Sequence, residues 1–146
     1  KWWIIANFSA SDMHTILPGV FNIVHAENPG AAFGVFSQGH PALRAILLVG
    51  ISSLVLMFVG KLLWTAPNPA TPEPPLLRAA LALVFGGALG NMIDRVFRGE
   101  VTDFIQVFIG AYEFPAFNVA DSAITVGAVL LIGGLARTEM LRRRTS

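Results

Sequence analysis

The feature that most constrains this chain is the gathering of its apolar residues into three long runs that carry almost no charge. The first run, AILLVGISSLVLMFVG, has 16 residues and would form about 24 Å of helix. The second, AALALVFGGALGNMI, follows Arg78, and the third, SAITVGAVLLIGGLA, precedes Arg137. Each approaches the roughly 20 residues that cross a bilayer, and flanking basic side chains can extend it. The runs therefore predict three membrane spans, at 42–64, 77–96 and 115–136.

The composition agrees with a chain that lies in lipid. Charged residues make up 13% of the sequence and hydrophobic residues 54%, whereas about 25% of an ordinary soluble domain is charged. The net charge of +1 gives no basic field, so nucleic acid is not expected as a partner. The chain has no cysteine, which excludes disulfides, cysteine-ligated metals and a thiol nucleophile.

The distribution of basic residues predicts which side of the membrane each connection faces. Lys61 and Arg78 flank a proline-rich connector, and the tail at 137–146 carries four arginines. The positive-inside rule places both segments in the cytoplasm. Arg95 and Arg98 then fall on the opposite side and run against the rule, which suggests that they have another role.

The remaining segments are expected to lie outside the cytoplasm. Residues 1–41 contain FNIV and FGVF between glycines and prolines, a pattern typical of short strands and turns. Because three spans and a cytoplasmic tail put residue 1 outside, we expect that a preceding span is missing. The predicted fold class is mainly α, a polytopic membrane protein in one domain. It has three visible transmembrane helices, four in the complete protein, and a small extracytoplasmic β-rich segment.

Three aspartates at the outer ends of the spans are the candidates for chemistry: Asp94, Asp103 and Asp121. Ionisable groups at a membrane boundary are costly and are therefore functional candidates. Two neighbouring carboxylates share one proton, which provides a base and an acid for the attack of water on an amide. Each aspartate also has a structural interpretation. Asp94 could pair with Arg95 or Arg98 at a helix end, and Asp121 could be a first-turn residue that complements the helix dipole.

Other chemistries have less support in the sequence. Asn91 shares a helix face with Asp94, and Asn118 shares one with Asp121, although Asn118 could simply serve a helix start. The glycines of FGGALGN follow small-x-x-small spacing and predict close helix packing. No G-x-S-x-G elbow is present. No metal site is expected, because the histidines are irregularly spaced: His14, His25 and His40.

Three motifs closely resemble those of bacterial lipoprotein signal peptidase, also called signal peptidase II. They are ENPGAAFGVF, GNMIDRVFRGEVTDFI and FPAFNVADSAITVGA, in the family's order and roughly its spacing. The family has four spans with both termini in the cytoplasm, which agrees with a missing first span. Its first span typically ends in an acidic residue followed shortly by lysine, and Lys1 is similar to that lysine.

The resemblance implies roles for individual residues. The aspartates of its V-x-D-F and F-N-x-A-D segments fall on Asp103 and Asp121, which would form the catalytic dyad of an aspartyl protease. The motifs also imply a set of residues that support the site or bind substrate: Lys1, Asn28, Asn91, Asp94, Arg95 and Asn118. Asp94 is thereby assigned to support rather than to the dyad.

The implied reaction is removal of the signal peptide from a diacylglyceryl-modified prolipoprotein, by cleavage before the lipidated cysteine. It would take place at the extracytoplasmic face of the bacterial inner membrane, in contact with membrane lipid, by a monomer that needs no metal or cofactor. The NPGAAF segment would belong to a surface that cradles the substrate. Two alternatives are a small transporter component and a non-catalytic membrane scaffold. The uncharged span cores disfavour the transporter. An inactive homologue would be expected to have lost Asp103 or Asp121.

Overall fold

The computed structural model describes residues 1–10, 12–30, 40–65 and 75–145. These residues form two compact units. Unit 1 comprises Lys1–Ile51 and Asn91–Val119, and unit 2 comprises Ser52–Gly90 and Ala120–Ser146.

The described residues form four helices. They are α1 (Trp2–Asn7), α2 (Pro41–Thr65), α3 (Pro75–Arg98) and α4 (Val119–Thr145). Both α2 and α3 begin at a proline, which fits the first position of a helix because the amide hydrogen missing from proline has no intrahelical partner there. Proline is unfavourable inside a helix, because it has no amide hydrogen and its ring clashes with the preceding turn. The helix α2 ends at Thr65, two residues before Pro67 in the sequence.

Three of the described helices are long and apolar enough to cross a membrane: Ala42–Thr65, Pro75–Arg98 and Val119–Arg137. Little of each span is covered by protein, and only 6% of the third is buried. One row of α4 side chains is at least half exposed: Val126, Val129, Ile132 and Leu135. Such a surface suits lipid, where a helix satisfies all its backbone hydrogen bonds internally. The prediction of three membrane helices is confirmed.

A four-stranded antiparallel sheet belongs to unit 1. Its strands β1 (Met13–Leu17), β2 (Phe21–Asn28), β3 (Val101–Ile109) and β4 (Tyr112–Phe117) lie in that order across the sheet. The predicted small β-rich element is therefore confirmed. FNIV lies in β2, whereas FGVF lies outside the described residues.

The sequence predicted that the third span begins near Pro115, and this prediction is wrong. Pro115 lies in β4, and the helix begins at Val119. The β4 strand pairs with β3 through Ile105↔Phe117 and Val107↔Phe114, and the register shifts between the two pairs. β4 is an edge strand, where a proline without an amide hydrogen is tolerated. Half of the sheet thus comes from the connection between the second and third spans, outside the segment where strands were predicted.

The helix α4 also extends beyond the predicted span. The segment at 137–146 was expected to be a tail, but α4 continues to Thr145.

Within unit 2, glycine allows α3 and α4 to approach closely. A Cβ atom on Gly87 would lie 2.5 Å from the backbone oxygen of Ala120, and one on Gly127 would lie 2.7 Å from that of Ala80. The interpretation of FGGALGN as a packing motif is therefore confirmed at Gly87. The neighbouring Gly86 has nothing within 4 Å of its Cβ position.

Candidate active site

The carboxylate of Asp103 is buried, and an amide holds each of its oxygens. The residue is 3% exposed. Asn28 donates from Nδ2 to Oδ2 at 3.0 Å, and Asn118 donates from Nδ2 to Oδ1 at 2.7 Å. Both carboxyl oxygens thus accept a hydrogen bond from an amide, and the two bonds fix the orientation of the side chain.

The sheet brings these three side chains together. Ala26 lies opposite Asp103, and Asn28 lies opposite Val101. Asn28 is therefore the diagonal neighbour of Asp103 on the same face of the sheet. Asn118 follows the last residue of β4 directly and precedes α4. It is fully buried, as is Thr102 beside Asp103, so solvent does not reach its amide.

Asn28 is itself fixed by the backbone that follows it. The amide hydrogen of Gly30 is donated to Asn28 Oδ1, with the heavy atoms 3.0 Å apart. Arg95 donates from Nη2 to the carbonyl oxygen of Gly30 at 2.9 Å. A chain of hydrogen bonds thus runs from Arg95 through Gly30 and Asn28 to Asp103.

A second polar cluster in unit 1 is built around Lys1. Its Nζ lies 2.7 Å from Asp94 Oδ2 and donates to Asn91 Oδ1, also at 2.7 Å. Asn91 and Asp94 lie on one face of α3, as their spacing predicted. The side chains of Lys1 and Asp94 are only 15% and 8% exposed. The buried ion pair of Asp94 is thus formed with Lys1, whereas the sequence suggested Arg95 or Arg98.

Arg98 links β2 and β3 next to Asp103, a contact that sequence analysis missed. It donates to the hydroxyl of Thr102 and, at 3.3 Å, to Glu27 Oε1. Glu27 and Thr102 lie directly opposite each other and immediately precede Asn28 and Asp103. The arginine side chain therefore binds both strands beside the Asn28–Asp103 contact. The sequence marked Arg98 as an exception to the positive-inside rule and as a possible partner of Asp94, but it did not indicate this contact.

The turn before β3 carries another carboxyl group. Burial raises the pKa of the Glu100 carboxyl above its ordinary value, and the hydrogen bond to Glu27 and the charge of Glu27 raise it further. Arg98 and Arg44 oppose this rise.

Asp121 belongs to unit 2, where it lies in the first turn of α4 and is half-buried. Its backbone oxygen accepts a hydrogen bond from the Thr125 hydroxyl at 2.8 Å. A carboxylate in a first turn complements the helix dipole, so the structural interpretation of Asp121 remains open beside the functional one. The catalytic and supporting roles of all these residues stay predictions.

Three helices that can cross a membrane, together with a small antiparallel sheet, define the class of this protein as a multi-pass membrane protein. The sequence pattern of the family described as signal peptidase (SPase) II matches residues 1–137. The chain is 40% identical to the lipoprotein signal peptidase of Solibacter usitatus, over 95% of this chain and 82% of the relative. It is 44% identical to that of Desulforapulum autotrophicum, over 80% and 70% of the two chains.

A solved structure, described as a bacterial membrane enzyme determined by the in meso method at 2.3 Å resolution, has the same fold. The TM-score is 0.79 at 34% identity, over 92% of this chain and 77% of that one. The chain belongs to the signal peptidase II family. It is therefore a membrane protease, and these matches give no support to a transporter component or a non-catalytic scaffold.

Proposed function

We propose that this protein removes signal peptides from diacylglyceryl-modified prolipoproteins, by cleaving the peptide bond that precedes the lipidated cysteine. Relatives at 38–44% identity carry the name lipoprotein signal peptidase, which supports this substrate class. The observation that carries the proposal is the buried Asp103 carboxylate with an amide donor on each oxygen. A carboxylate held in this way keeps one orientation, which suits it to accept a proton from a water molecule.

Asp103 acts as the general base of the reaction. Its two amide donors favour the ionised form, which is the form that accepts a proton from water. The resulting nucleophile attacks the carbonyl carbon of the scissile bond, and the carbonyl π electrons move to oxygen. The tetrahedral product carries one hydroxyl from water and one oxygen from the carbonyl.

Asp121 acts as the acid partner in the same reaction. In its protonated form it donates a hydrogen bond to the carbonyl oxygen and stabilises the negative charge that develops there. When the tetrahedral species collapses, the carbon–nitrogen bond breaks and the cysteine nitrogen takes a proton from the dyad. The family motif supports this pairing, and Asn118, which binds Asp103, precedes Asp121 by three residues.

The remaining motif residues position the site. Asn28 and Asn118 orient Asp103, and Arg95 orders the turn that holds Asn28. Lys1 neutralises Asp94 at the end of α3 and fixes the amide of Asn91. None of these steps requires a metal or another cofactor.

The reaction takes place at the extracytoplasmic face of the bacterial inner membrane. The basic residues beside the first two spans and in the last segment support this orientation. The acyl chains of the substrate remain in lipid beside the spans, whose apolar surfaces are largely uncovered. A monomer carries both aspartates and needs no second copy.

The test uses the protein reconstituted in vesicles with a diacylglyceryl-modified prolipoprotein. A matched precursor carries serine in place of the cysteine, which removes the lipid and leaves the peptide otherwise unchanged. Mass spectrometry of the products identifies the bond that is cut. Cleavage of the lipidated precursor alone, immediately before its cysteine, is expected. Equal cleavage of both precursors, or cleavage at another bond, would contradict the proposed specificity.

A further inference from the structure

The pairing of β2 with β3 is interrupted next to Asp103. Ile23 lies opposite Ile105, but the next partners are Ala26 and Asp103, so two residues of β2 stand against one residue of β3. Such a β-bulge disrupts the ladder locally and re-aims the side chains beside it. Three pairs follow it before β2 ends: Ala26↔Asp103, Glu27↔Thr102 and Asn28↔Val101. The contact between Asn28 and Asp103 therefore lies in a short terminal stretch of paired strand.

The geometry of the site depends on the register of this stretch. Successive side chains point to opposite faces of a strand, so a slip by one residue moves each of them to the other face. Asn28 donates to Asp103 because both side chains lie on one face. After a slip of one residue, the Asn28 amide would point away and the carboxyl group would lose that donor. Three pairs beyond a bulge resist a slip weakly, so contacts between side chains have to fix the register.

Arg98 provides such a contact from the opposite face of the sheet. Nη1 of its guanidinium donates to the Thr102 hydroxyl, and Nη2 donates to Glu27 Oε1 at 3.3 Å. Glu27 and Thr102 are partners in the middle pair of the three. One planar group therefore binds both strands at the pair that directly precedes Asn28 and Asp103 in the sequence.

The position of Arg98 is itself fixed by the end of α3. Arg98 is the last residue of this helix. The turn before it is held by the ion pair of Asp94 with Lys1 and by the hydrogen bond from Arg95 to the Gly30 carbonyl oxygen. The guanidinium therefore reaches the two strands from a helix end that has its own partners.

The arrangement of the two nitrogens matters more than the charge of Arg98. The Glu27 side chain is 40% exposed, and a partly exposed ion pair contributes little by itself. Thr102 is 0% exposed and the Arg98 side chain only 17%, so the contact with the hydroxyl is shielded from water. Arginine donates from several nitrogens in a rigid plane, whereas lysine has a single nitrogen. Lysine would not reproduce a contact that spans two strands.

We infer that Arg98 is a positioning residue of the active site, whose guanidinium fixes the register of β2 and β3 and so aims the Asn28 amide at the Asp103 carboxyl group. The inference rests on the proposed function, because it concerns the group that acts there as the general base. Arg98 acts through the two strands and takes no part in binding the substrate. Its loss should therefore lower kcat and leave KM nearly unchanged.

The first test measures kcat and KM for cleavage of a diacylglyceryl-modified prolipoprotein by the reconstituted wild type, Arg98→Ala, Asn28→Ala and the double variant. Because displacement of a reacting group by about 1 Å can cost about a hundredfold, we expect Arg98→Ala to lower kcat about ten- to a hundredfold. The double variant should be no slower than the slower single variant, because both substitutions act through the same hydrogen bond. Arg98→Lys should also lower kcat, although it keeps the charge. The control Arg137→Ala removes an exposed arginine of α4 and should match the wild type.

A second test replaces the arginine contact by a covalent link. The chain has no cysteine, so Glu27→Cys and Thr102→Cys introduce a pair that can form one disulfide. Directly opposite residues of antiparallel strands have Cα atoms about 4.5–5.5 Å apart, within the range of a disulfide. Both substitutions are combined with Arg98→Ala, so that no buried cation is left without its partners. We expect oxidation of this protein to raise kcat about tenfold, and reduction to reverse the gain.

Several results would overturn the inference while the wild type still cleaves the lipidated precursor, which leaves the proposed function standing. They are full activity of Arg98→Ala, a loss confined to KM, and losses that multiply in the double variant. A cysteine pair that forms no disulfide, or whose oxidation leaves kcat unchanged, would also contradict the inference. If Arg98→Ala does not fold, Thr102→Val takes its place in the same cycle, since it removes the hydroxyl at nearly constant volume. The absence of cleavage by the wild type would refute the proposed function itself.

Discussion

Removing the Asn118 amide should destabilise the protein through the charge of Asp103. Asn118→Ala deletes the donor 2.7 Å from Oδ1 at a position with 0% exposure. A buried charged acceptor that loses its partner costs about 2–3 kcal/mol of unfolding free energy. Asn28→Ala deletes the donor at 3.0 Å from Oδ2, but Asn28 is only half-buried. Water can replace that donor in part, so we expect a loss of about 1 kcal/mol.

The assay is a double-mutant cycle measured by denaturant unfolding in detergent at pH 7. Its members are the wild type, Asn118→Ala, Asp103→Asn and the double variant. If the amide acts on the carboxylate charge, the double variant should lose less unfolding free energy than the sum of the two single variants. The difference, the coupling energy, should be about 1.5–3 kcal/mol. Additive losses would refute the reasoning.

Three further changes have expected outcomes that can be measured. Gly87→Ala should lower the free energy of unfolding by about 1–3 kcal/mol through overpacking. Gly86→Ala is the control, because its Cβ position has open space and the substitution should cause no overpacking. Equal effects of the two substitutions in thermal unfolding would contradict this prediction. Because burial raises the pKa of Glu100 above its ordinary value of 4.5, the folded protein holds that proton more tightly than the unfolded chain. The contribution of Glu100 to the free energy of unfolding should therefore fall as pH rises above 4.5, and Glu100→Gln should remove that part of the pH dependence. Lys1→Met should lower the free energy of unfolding by about 3 kcal/mol, because it leaves the Asp94 carboxylate buried without its cation. Adding Asp94→Asn should restore part of this loss, and the absence of any restoration would argue against the ion pair.

The membrane helices could be predicted from the sequence because lipid restricts the choice of structure. An apolar run that crosses a bilayer must satisfy its backbone internally, so its length and composition are sufficient to indicate a helix. The strands were harder to predict. The apolar run in VTDFIQVF does not alternate, and only its pairing with β2 and β4 identifies it as a central strand. The same pairing places Pro115 in an edge strand and delays the start of α4.

The motifs in the sequence named the candidate residues, but their contacts depend on long-range folding. Asn28 and Asp103 are separated by 75 residues, and Lys1 and Asn91 by 90. Spacing along a helix could indicate that Asn91 and Asp94 share a face, but it could not identify the residue that binds them. Arg98 lies within one of the quoted motifs, but the motif implied no role for it, and its link between β2 and β3 depends on the strand register.

The central claim is that Asp103 and Asp121 perform the cleavage together. It is tested most directly by following the release of signal peptide from a diacylglyceryl-modified prolipoprotein by Asp103→Asn, Asp121→Asn and the control Glu100→Gln. All three proteins are first shown to be folded by their unfolding curves. We expect both asparagine variants to lose at least a thousandfold in kcat, with the control close to the wild type, because an amide can neither take a proton from water nor donate one as an acid. Substantial cleavage by either asparagine variant would remove that aspartate from the dyad and contradict the account.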